Sequence, residues 1–284
     1  MAKSPATLWV VATPIGNLED VSARARRVLG EVDLVLCEDT RHSGRLLAAL
    51  GLQAKLSPLH EHNEARATHG LVARLIAGES MALISDAGTP LLSDPGFRLV
   101  RAAAAAGITV SPVPGPSALL AALSVAGLPT DRVAFEGFLP ARAAARRSTL
   151  DLLAAETRTL VFFEAGNRLA DFLGDASAAL GGEREAVVAR ELTKLHETLY
   201  RGTLAALAER VAADADAQRG ETVVVIAGRA TAPAGDEAEL ARMLPLLLEE
   251  LPPSRAVRVA AKLCGVPRRR AYELALALGA TPDA

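Results

Sequence analysis

The sequence predicts an α/β protein made of two α/β domains and a small C-terminal helical module. In the first half, five short apolar runs alternate with helical patterns, which is typical of a parallel sheet. A second alternating set follows residue 127, and its short strands indicate a mixed sheet. Three helical segments come after an Ala/Pro/Gly-rich stretch at 231–237 that reads as a linker. The predicted domains are residues 1–127, 128–230 and 238–284.

Length, charge and cysteine content limit the possible classes of function. The 284 residues suffice for two cores, and a 50% hydrophobic, 3% aromatic composition predicts cores of Ala, Leu and Val. The net charge of −2 gives no overall positive field, so any nucleic-acid contact must come from local patches. Cys37 and Cys264 lie far apart, which predicts a reduced, cytoplasmic protein without a metal site. The apolar runs are too short to span a membrane.

Each of the first five predicted strands runs into a polar, glycine-rich or proline-rich loop. The strands are predicted at 8–12, 32–36, 56–59, 81–84 and 108–113, and the loops at 13–17, 38–42, 60–64, 85–90 and 114–117. Parallel strands place these loops at one edge of the sheet, where open α/β sheets bind ligands. Neither a Gly-x-Gly-x-x-Gly motif nor a Walker loop is present, so a dinucleotide-type site has no support.

The stretch at 85–95 reads Ser-Asp-Ala-Gly-Thr-Pro-Leu-Leu-Ser-Asp-Pro and is the centre of the predicted site. Gly88 lets the backbone approach a ligand closely, and Asp86 can accept hydrogen bonds from its polar end. The alternative is a plain strand-to-helix turn in which Asp94 caps the next helix.

Two further strand ends carry side chains with two possible roles. Glu38 and Asp39 are adjacent carboxylates that either cap the following helix or act in acid/base chemistry. Ser117 either caps a helix or presents its hydroxyl to a ligand at the helix N-terminus. His60 and His62 share a side of an extended chain, but no third ligand has metal-site spacing.

The second half contains one dense charged loop and two clusters of arginine. Residues 190–197 place four charged groups and a histidine in eight positions, either as an exposed loop or as part of a site. Arg142, Arg146 and Arg147 form a basic stripe at helical spacing. The run 268–270, three consecutive arginines, opens the last helix and opposes its dipole, which phosphate contacts would explain. The alternative is a helical bundle with a basic end.

Taken together, these motifs resemble the tetrapyrrole methylase superfamily, in particular its bacterial branch of 16S ribosomal RNA ribose methyltransferases. The segments that carry the resemblance are 8–18, 37–41, 60–63, 85–96, 113–117, 135–140 and 191–197. The likeness covers nearly the whole chain in the same order, including the helical tail. One departure is Ala165-Gly166-Asn167, where Ser-Pro-His is expected.

The resemblance implies S-adenosylmethionine bound in a cleft between two α/β domains, usually in a homodimer. It implies transfer of a methyl group to a cytidine 2′-hydroxyl of 16S ribosomal RNA in the small ribosomal subunit. The implied cofactor positions are Pro14, Asp86, Ala87, Gly88, Thr89, Ser117 and Ala118, with backbone contacts near Phe163, Arg190 and Thr222.

The reaction would be helped by a base that accepts the hydroxyl proton or by a positive group that stabilises the alkoxide. The sequence offers five candidates and does not choose among them: Glu38, Asp39, Lys194, His196 and Glu197. The expected RNA-facing residues are Arg142, Arg146, Arg147, Arg268, Arg269 and Arg270. A tetrapyrrole C-methyltransferase is the nearest alternative function. A DNA-binding regulator that uses the helical tail is a more distant one.

Overall fold

The computed structural model describes residues 6–229 and 237–280. It divides into two compact units, Met1–Gly228 and Arg229–Ala284. The predicted linker at 231–237 lies outside the described residues, apart from Glu237.

The first unit begins with a parallel sheet of five strands. These are β1 (Thr7–Val11), β2 (Leu34–Cys37), β3 (Leu56–Pro58), β4 (Met81–Leu83) and β5 (Thr109–Val113). Their order is β3-β2-β4-β1-β5, and every pairing is parallel. β1 and β4 therefore lie at the centre, and the loops that leave their carboxyl ends are neighbours.

Helices cover both faces of this sheet. They are α1 (Ala23–Glu31), α2 (Thr40–Ala49), α3 (Glu61–Ile76) and α4 (Phe97–Ala105), and the fifth helix, α5 (Ala118–Ala126), follows β5. α3 and α4 bury Leu71, Leu75 and Leu99 against one face, and α1 and α2 bury Leu29 and Leu47 against the other. Because both faces are covered, β2 and β4 are buried and apolar on both sides, as their sequences predict, whereas the edge strands β3 and β5 are partly exposed.

The second sheet of the same unit is mixed. Its strands are β6 (Val133–Phe138), β7 (Thr159–Ala165), β8 (Glu185–Arg190), β9 (Thr198–Thr203) and β10 (Glu221–Ile226). The order is β6-β7-β10-β8-β9, with only the β6–β7 pair parallel. One face packs on α6 (Ala143–Leu152), α7 (Gly166–Leu180) and α8 (Leu204–Ala213). The other face receives Ala122 and Ala126 of α5, which joins the two sheets.

The second unit has three helices, as predicted: α9 (Glu237–Glu250), α10 (Pro253–Leu263) and α11 (Arg268–Ala277). Leu240, Leu244, Val257 and Ala271 are buried in a core of its own. Within the described ranges, no helix is long and apolar enough to cross a bilayer.

Candidate functional site

Hydrogen bonds tie together the loops at the carboxyl edge of the first sheet. Thr13 and Gly88 exchange main-chain bonds of 2.9 and 3.1 Å, which joins the loops after β1 and β4. Thr89 Oγ1 donates to the Pro116 carbonyl at 3.0 Å and so reaches the loop after β5. Asp86 Oδ1 accepts from the Asp39 amide at 3.4 Å, which adds the loop after β2. The edge is therefore one connected surface.

A cavity of about 380 Å³ lies between this edge and the second sheet. Its wall includes most of the positions that the sequence analysis assigns to the cofactor: Asp86, Ala87, Gly88, Thr89, Ser117, Ala118, Phe163 and Thr222. Pro14 and Arg190 are not on the wall, although their neighbours Ile15 and Glu191 are. Both roles assigned to Ser117 are compatible with this position, since it lines the cavity and its Oγ accepts from the Leu120 amide at the start of α5.

Aromatic rings form part of the wall on the side of the second sheet. The Phe163 ring packs edge to face on Phe135 and Phe138, with centroids 4.8 and 5.6 Å apart. Phe138 is 55% exposed and also lines the cavity. The exposed Phe138 ring, which packs on Phe163, offers a flat surface on which a base can stack.

Lys194 is the one of the five catalytic candidates that lines the cavity. Its Nζ donates to Glu191 Oε1 at 2.9 Å and to Glu221 Oε2 at 2.7 Å. Burial alone would lower the pKa of Lys194, but the hydrogen bonds to Glu221 and Glu191 outweigh it and raise that pKa. The ammonium is therefore a fixed positive charge at neutral pH and not a base.

The loop that carries Lys194 packs closely on the loop after β1. A Cβ at Gly16 would overlap the Lys194 side chain and would lie 3.1 Å from the Leu192 carbonyl oxygen. Glycine at position 16 is thus needed for the approach of the two loops, which come from different sheets.

The other four candidates do not reach the cavity wall. Asp39 caps α2, where its Oδ1 accepts from the amides of Arg41 and His42, and these bonds lower its pKa. A carboxylate in that state is a weak base, so the geometry favours the capping alternative. Glu38 and His196 are exposed. Glu197 is exposed too, and its Oε2 accepts from the Thr193 amide at 2.7 Å within the same loop.

Asp94 lines the cavity, although the sequence analysis offers it only as a helix cap. The cap of α4 is instead Glu64, a buried residue of α3 whose Oε1 accepts from the amides of Gly96, Arg98 and Leu99. Burial, the charge of Glu38 and the charge of Asp86 raise the pKa of Asp94 to about 6, against a hydrogen bond from Ser85 that lowers it. The sequence alone does not mark Asp94 as a site residue, because its spacing from α4 also fits a helix cap.

We expect Asp94→Asn to stabilise the protein at pH 8 and not at pH 4. The folded-state pKa of about 6 exceeds the ordinary 3.8, so ionised Asp94 disfavours folding above pH 6. That cost disappears as the pH falls from 6 to below 4. A shift of this size corresponds to roughly 1 to 3 kcal/mol after allowance for partial exposure. Urea unfolding of both proteins across this pH range measures it, with the exposed Glu209→Gln on α8 as control. Parallel pH curves would contradict the prediction.

The basic stripe on α6 divides into buried and exposed members. Arg142 and Arg147 are exposed. The Arg146 side chain is 4% exposed, and its guanidinium lies 2.6 Å from Asp175 Oδ2. The prediction that Arg146 faces RNA is therefore wrong, because its charge is buried and already paired.

The arginines at the start of α11 are exposed, and two of them have local partners. Arg269 pairs with Glu273 at 2.9 Å, and Arg270 pairs with Glu237 at 2.6 Å and Glu273 at 3.3 Å. These carboxylates offset part of the unfavourable interaction with the helix dipole without any phosphate. The helical-bundle alternative thus accounts for part of the dipole cost, although the arginines remain exposed to solvent.

The departure at 165–167 lies beside a buried ion pair. Glu164, which is 1% exposed, lies 3.1 Å from Arg168, whose guanidinium also donates to the Leu139 carbonyl at 2.7 Å. Gly166 donates its amide to Gly220, and a Cβ there would come within 2.8 Å of the Arg219 backbone. Glycine at 166 is explained by this close passage of the chain.

Comparison with known proteins shows counterparts for both units. A family model described as Tetrapyrrole (Corrin/Porphyrin) Methylases matches residues 7–208, and one described as RsmI C-terminal HTH domain matches 234–279. "Ribosomal RNA small subunit methyltransferase I" of Pseudomonas aeruginosa is 56% identical over 276 residues, covering 96% of this chain and 98% of that protein. The protein of the same name from Escherichia coli O157:H7 is 46% identical over 273 residues, covering 96% of each.

Solved structures share the fold of the first unit at low identity. A uroporphyrin-III C-methyl transferase from Thermus thermophilus, complexed with S-adenyl homocysteine, has a TM-score of 0.53 and 19% identity, over 78% of this chain and 97% of that one. A diphthine synthase has a TM-score of 0.58 and 14% identity, over 78% of this chain and 90% of that one.

Proposed function

The chain belongs to the tetrapyrrole methylase family, and from this premise we propose that it is an S-adenosylmethionine-dependent methyltransferase of small-subunit ribosomal RNA. The acceptor is the ribose 2′-hydroxyl of a cytidine in 16S ribosomal RNA. The observation that carries this proposal is identity of 46 to 56% over nearly the full length, helical unit included, with proteins named ribosomal RNA small subunit methyltransferase I.

The residues of the cavity fit S-adenosylmethionine. A volume of about 380 Å³ is in the range of small-molecule sites. Gly88, at φ 84°, brings backbone to the wall without a side chain, Phe163 offers a ring, and Asp86 supplies negative charge for a cationic ligand. We assign binding to Asp86, Ala87, Gly88, Thr89, Ser117, Ala118, Phe163 and Thr222, with main-chain contributions from Pro14 and Arg190. When bound, the cofactor supplies a methyl group on a positively charged sulfur.

Within this site the protein orients the hydroxyl and stabilises its charge. Positioning of the acceptor against the methyl group supplies much of the rate in such a transfer. Lys194, held by Glu191 and Glu221, places a fixed positive charge where negative charge develops on the ribose oxygen. Glu197 and His196 stabilise the loop and do not reach the cavity. The Glu197 carboxylate accepts from the Thr193 amide, and the His196 carbonyl accepts from the Arg190 guanidinium.

Contact with RNA is assigned to the exposed arginines, namely Arg142, Arg147, Arg268, Arg269 and Arg270. Their exposure leaves the guanidinium groups able to exchange local carboxylates for phosphates.

The protein is further proposed to act as a homodimer in the cytoplasm, where ribosomal subunits are found. Sedimentation of the full chain at micromolar concentration tests the dimer, and a monomer mass would contradict it.

Neutralising the α11 cluster should weaken RNA binding in a salt-dependent way. Three phosphate contacts contribute about 2 to the slope of log affinity against log salt, so a 268–270 triple Gln variant is expected to lose about that much. Titration with 16S ribosomal RNA at several salt concentrations measures the slope. Arg242→Gln, at an exposed position of α9, is the control. An unchanged slope in the triple variant would contradict the assignment.

Mapping of ribosomal RNA tests the function itself. Nuclease digestion and mass spectrometry of 16S RNA from a deletion strain should show the loss of one cytidine 2′-O-methyl group, restored by the intact gene. An unchanged map would contradict the proposal.

Incubation with labelled cofactor and either small subunits or a precorrin distinguishes ribosomal RNA methylation from tetrapyrrole C-methylation, which membership of the family alone also allows.

A further inference from the structure

Two loops, one from each sheet of the first unit, use the same backbone arrangement. Among the described residues other than glycine, φ is positive at Leu91 (77°), Ser93 (69°), Glu191 (51°) and Thr193 (66°). These are two pairs spaced two residues apart. Left-handed φ is uncommon outside glycine, and is least favourable for a β-branched residue such as Thr193. Strained backbone of this kind concentrates at functional sites.

The residue that follows each strained pair is ionisable and lines the cavity. Asp94 follows Ser93 in the first loop, and Lys194 follows Thr193 in the second. The first loop lies close to its surroundings, because a Cβ at Gly96 would overlap the Leu83 side chain and one at Gly137 of β6 would lie 3.0 Å from Ser93 Oγ. The two loops therefore bring one carboxylate and one ammonium to the same cavity from opposite sheets.

Resting on the function proposed above, we propose that Asp94 is the general base that accepts the proton of the ribose 2′-hydroxyl. As the proton passes to the Asp94 carboxylate, the ribose oxygen forms its bond to the methyl carbon. The electron pair of the broken carbon–sulfur bond stays on sulfur, which becomes neutral. Lys194 stabilises the negative charge on the ribose oxygen and keeps its own proton.

Burial of the carboxylate is the largest cause of the raised pKa of Asp94, and neighbouring charged and polar groups adjust it. Glu38 and Asp86 face it and make the neutral form easier to reach, while Ser85 donates a hydrogen bond to the charged form. The result is a pKa of about 6, so at neutral pH the carboxylate is ionised and ready to accept a proton. Asp39, by contrast, already accepts two backbone amides.

Single-turnover methylation of small ribosomal subunits from a deletion strain tests the proposal across pH 5 to 9. The wild-type rate should rise up to about pH 6 and then level off. Asp94→Asn should be at least 100-fold slower, without that inflection, and with cofactor affinity by calorimetry within about threefold of wild type. Glu209→Gln on α8 should behave as wild type.

Two results would overturn this assignment: an Asp94→Asn rate within threefold of wild type, or a loss of cofactor binding that accounts for the whole defect. The unfolding experiment on Asp94→Asn gives a readout that needs no substrate. If wild type methylates no ribosomal RNA, the proposed function fails, and the unfolding curves still decide whether Asp94 is a neutral-pH titrating group. Identical curves for both proteins at every pH would also overturn the inference.

Discussion

Arg146→Ala is expected to lower the free energy of unfolding by about 3 kcal/mol, the low end of the cost of breaking a buried ion pair, because only the exposed Arg147 would still pair with the remaining carboxylate. The partner is Asp175, whose side chain is 13% exposed and whose Oδ2 accepts from Arg146 Nε at 2.7 Å. Denaturant unfolding monitored by circular dichroism measures the loss.

Arg147→Ala is the matched control for this prediction. Arg147 pairs with the other oxygen of the same carboxylate at 2.8 Å, but its side chain is 62% exposed. An exposed pair contributes about 1 kcal/mol or less. Arg147→Ala should therefore leave stability nearly unchanged and weaken RNA binding. If the Arg146 variant instead loses RNA affinity and keeps its stability, Arg146 contacts RNA and the structural role given to it here is wrong.

Lys194→Ala is expected to lower kcat by about 100-fold to 1,000-fold, the usual effect of removing one group that stabilises a developing oxyanion. The affinity for S-adenosylmethionine should stay within about threefold of wild type, because Lys194 is assigned to the acceptor. Because the pKa of Lys194 is raised, the loss should be uniform between pH 6 and 9. Single-turnover kinetics and calorimetry on the same preparation measure both quantities.

Two companion variants sharpen that experiment. Lys194→Arg keeps the charge and should recover part of the rate. Glu197→Ala removes a side chain that bonds the Thr193 amide, so it should slow the reaction by much less than Lys194→Ala. If Lys194→Ala instead abolishes cofactor binding, its assignment to the acceptor is wrong.

The strands and the edge where their loops meet follow from local sequence. The apolar runs predict buried strands, and alternation with helices predicts parallel pairing, so the loops at 13–17 and 85–90 are expected at one edge of the sheet. They touch because β1 and β4 are adjacent, a strand order that the sequence does not specify. Their hydrogen bonds through Thr13 and Gly88 are a consequence of that topology.

The roles of Asp94 and Arg146 depend on tertiary contacts that the sequence does not display. Asp94 has the spacing of a cap, but Glu64, 30 residues earlier, occupies the end of α4. For Arg146 a local signal did exist. Leu150 lies four residues later on the same face of α6 and is buried, and a helix turns such positions together toward the core.

The four left-handed residues before Asp94 and Lys194 have a consequence for laboratory evolution. Asparagine and glycine adopt that backbone region at lower cost than leucine, serine, glutamate or threonine do. A library selected only for heat resistance should therefore enrich asparagine or glycine at positions 91, 93, 191 and 193. Where such exchanges relax the loops, the methylation rate should fall as the melting temperature rises. Thermal stability and catalysis place opposite demands on the backbone conformation of these four residues.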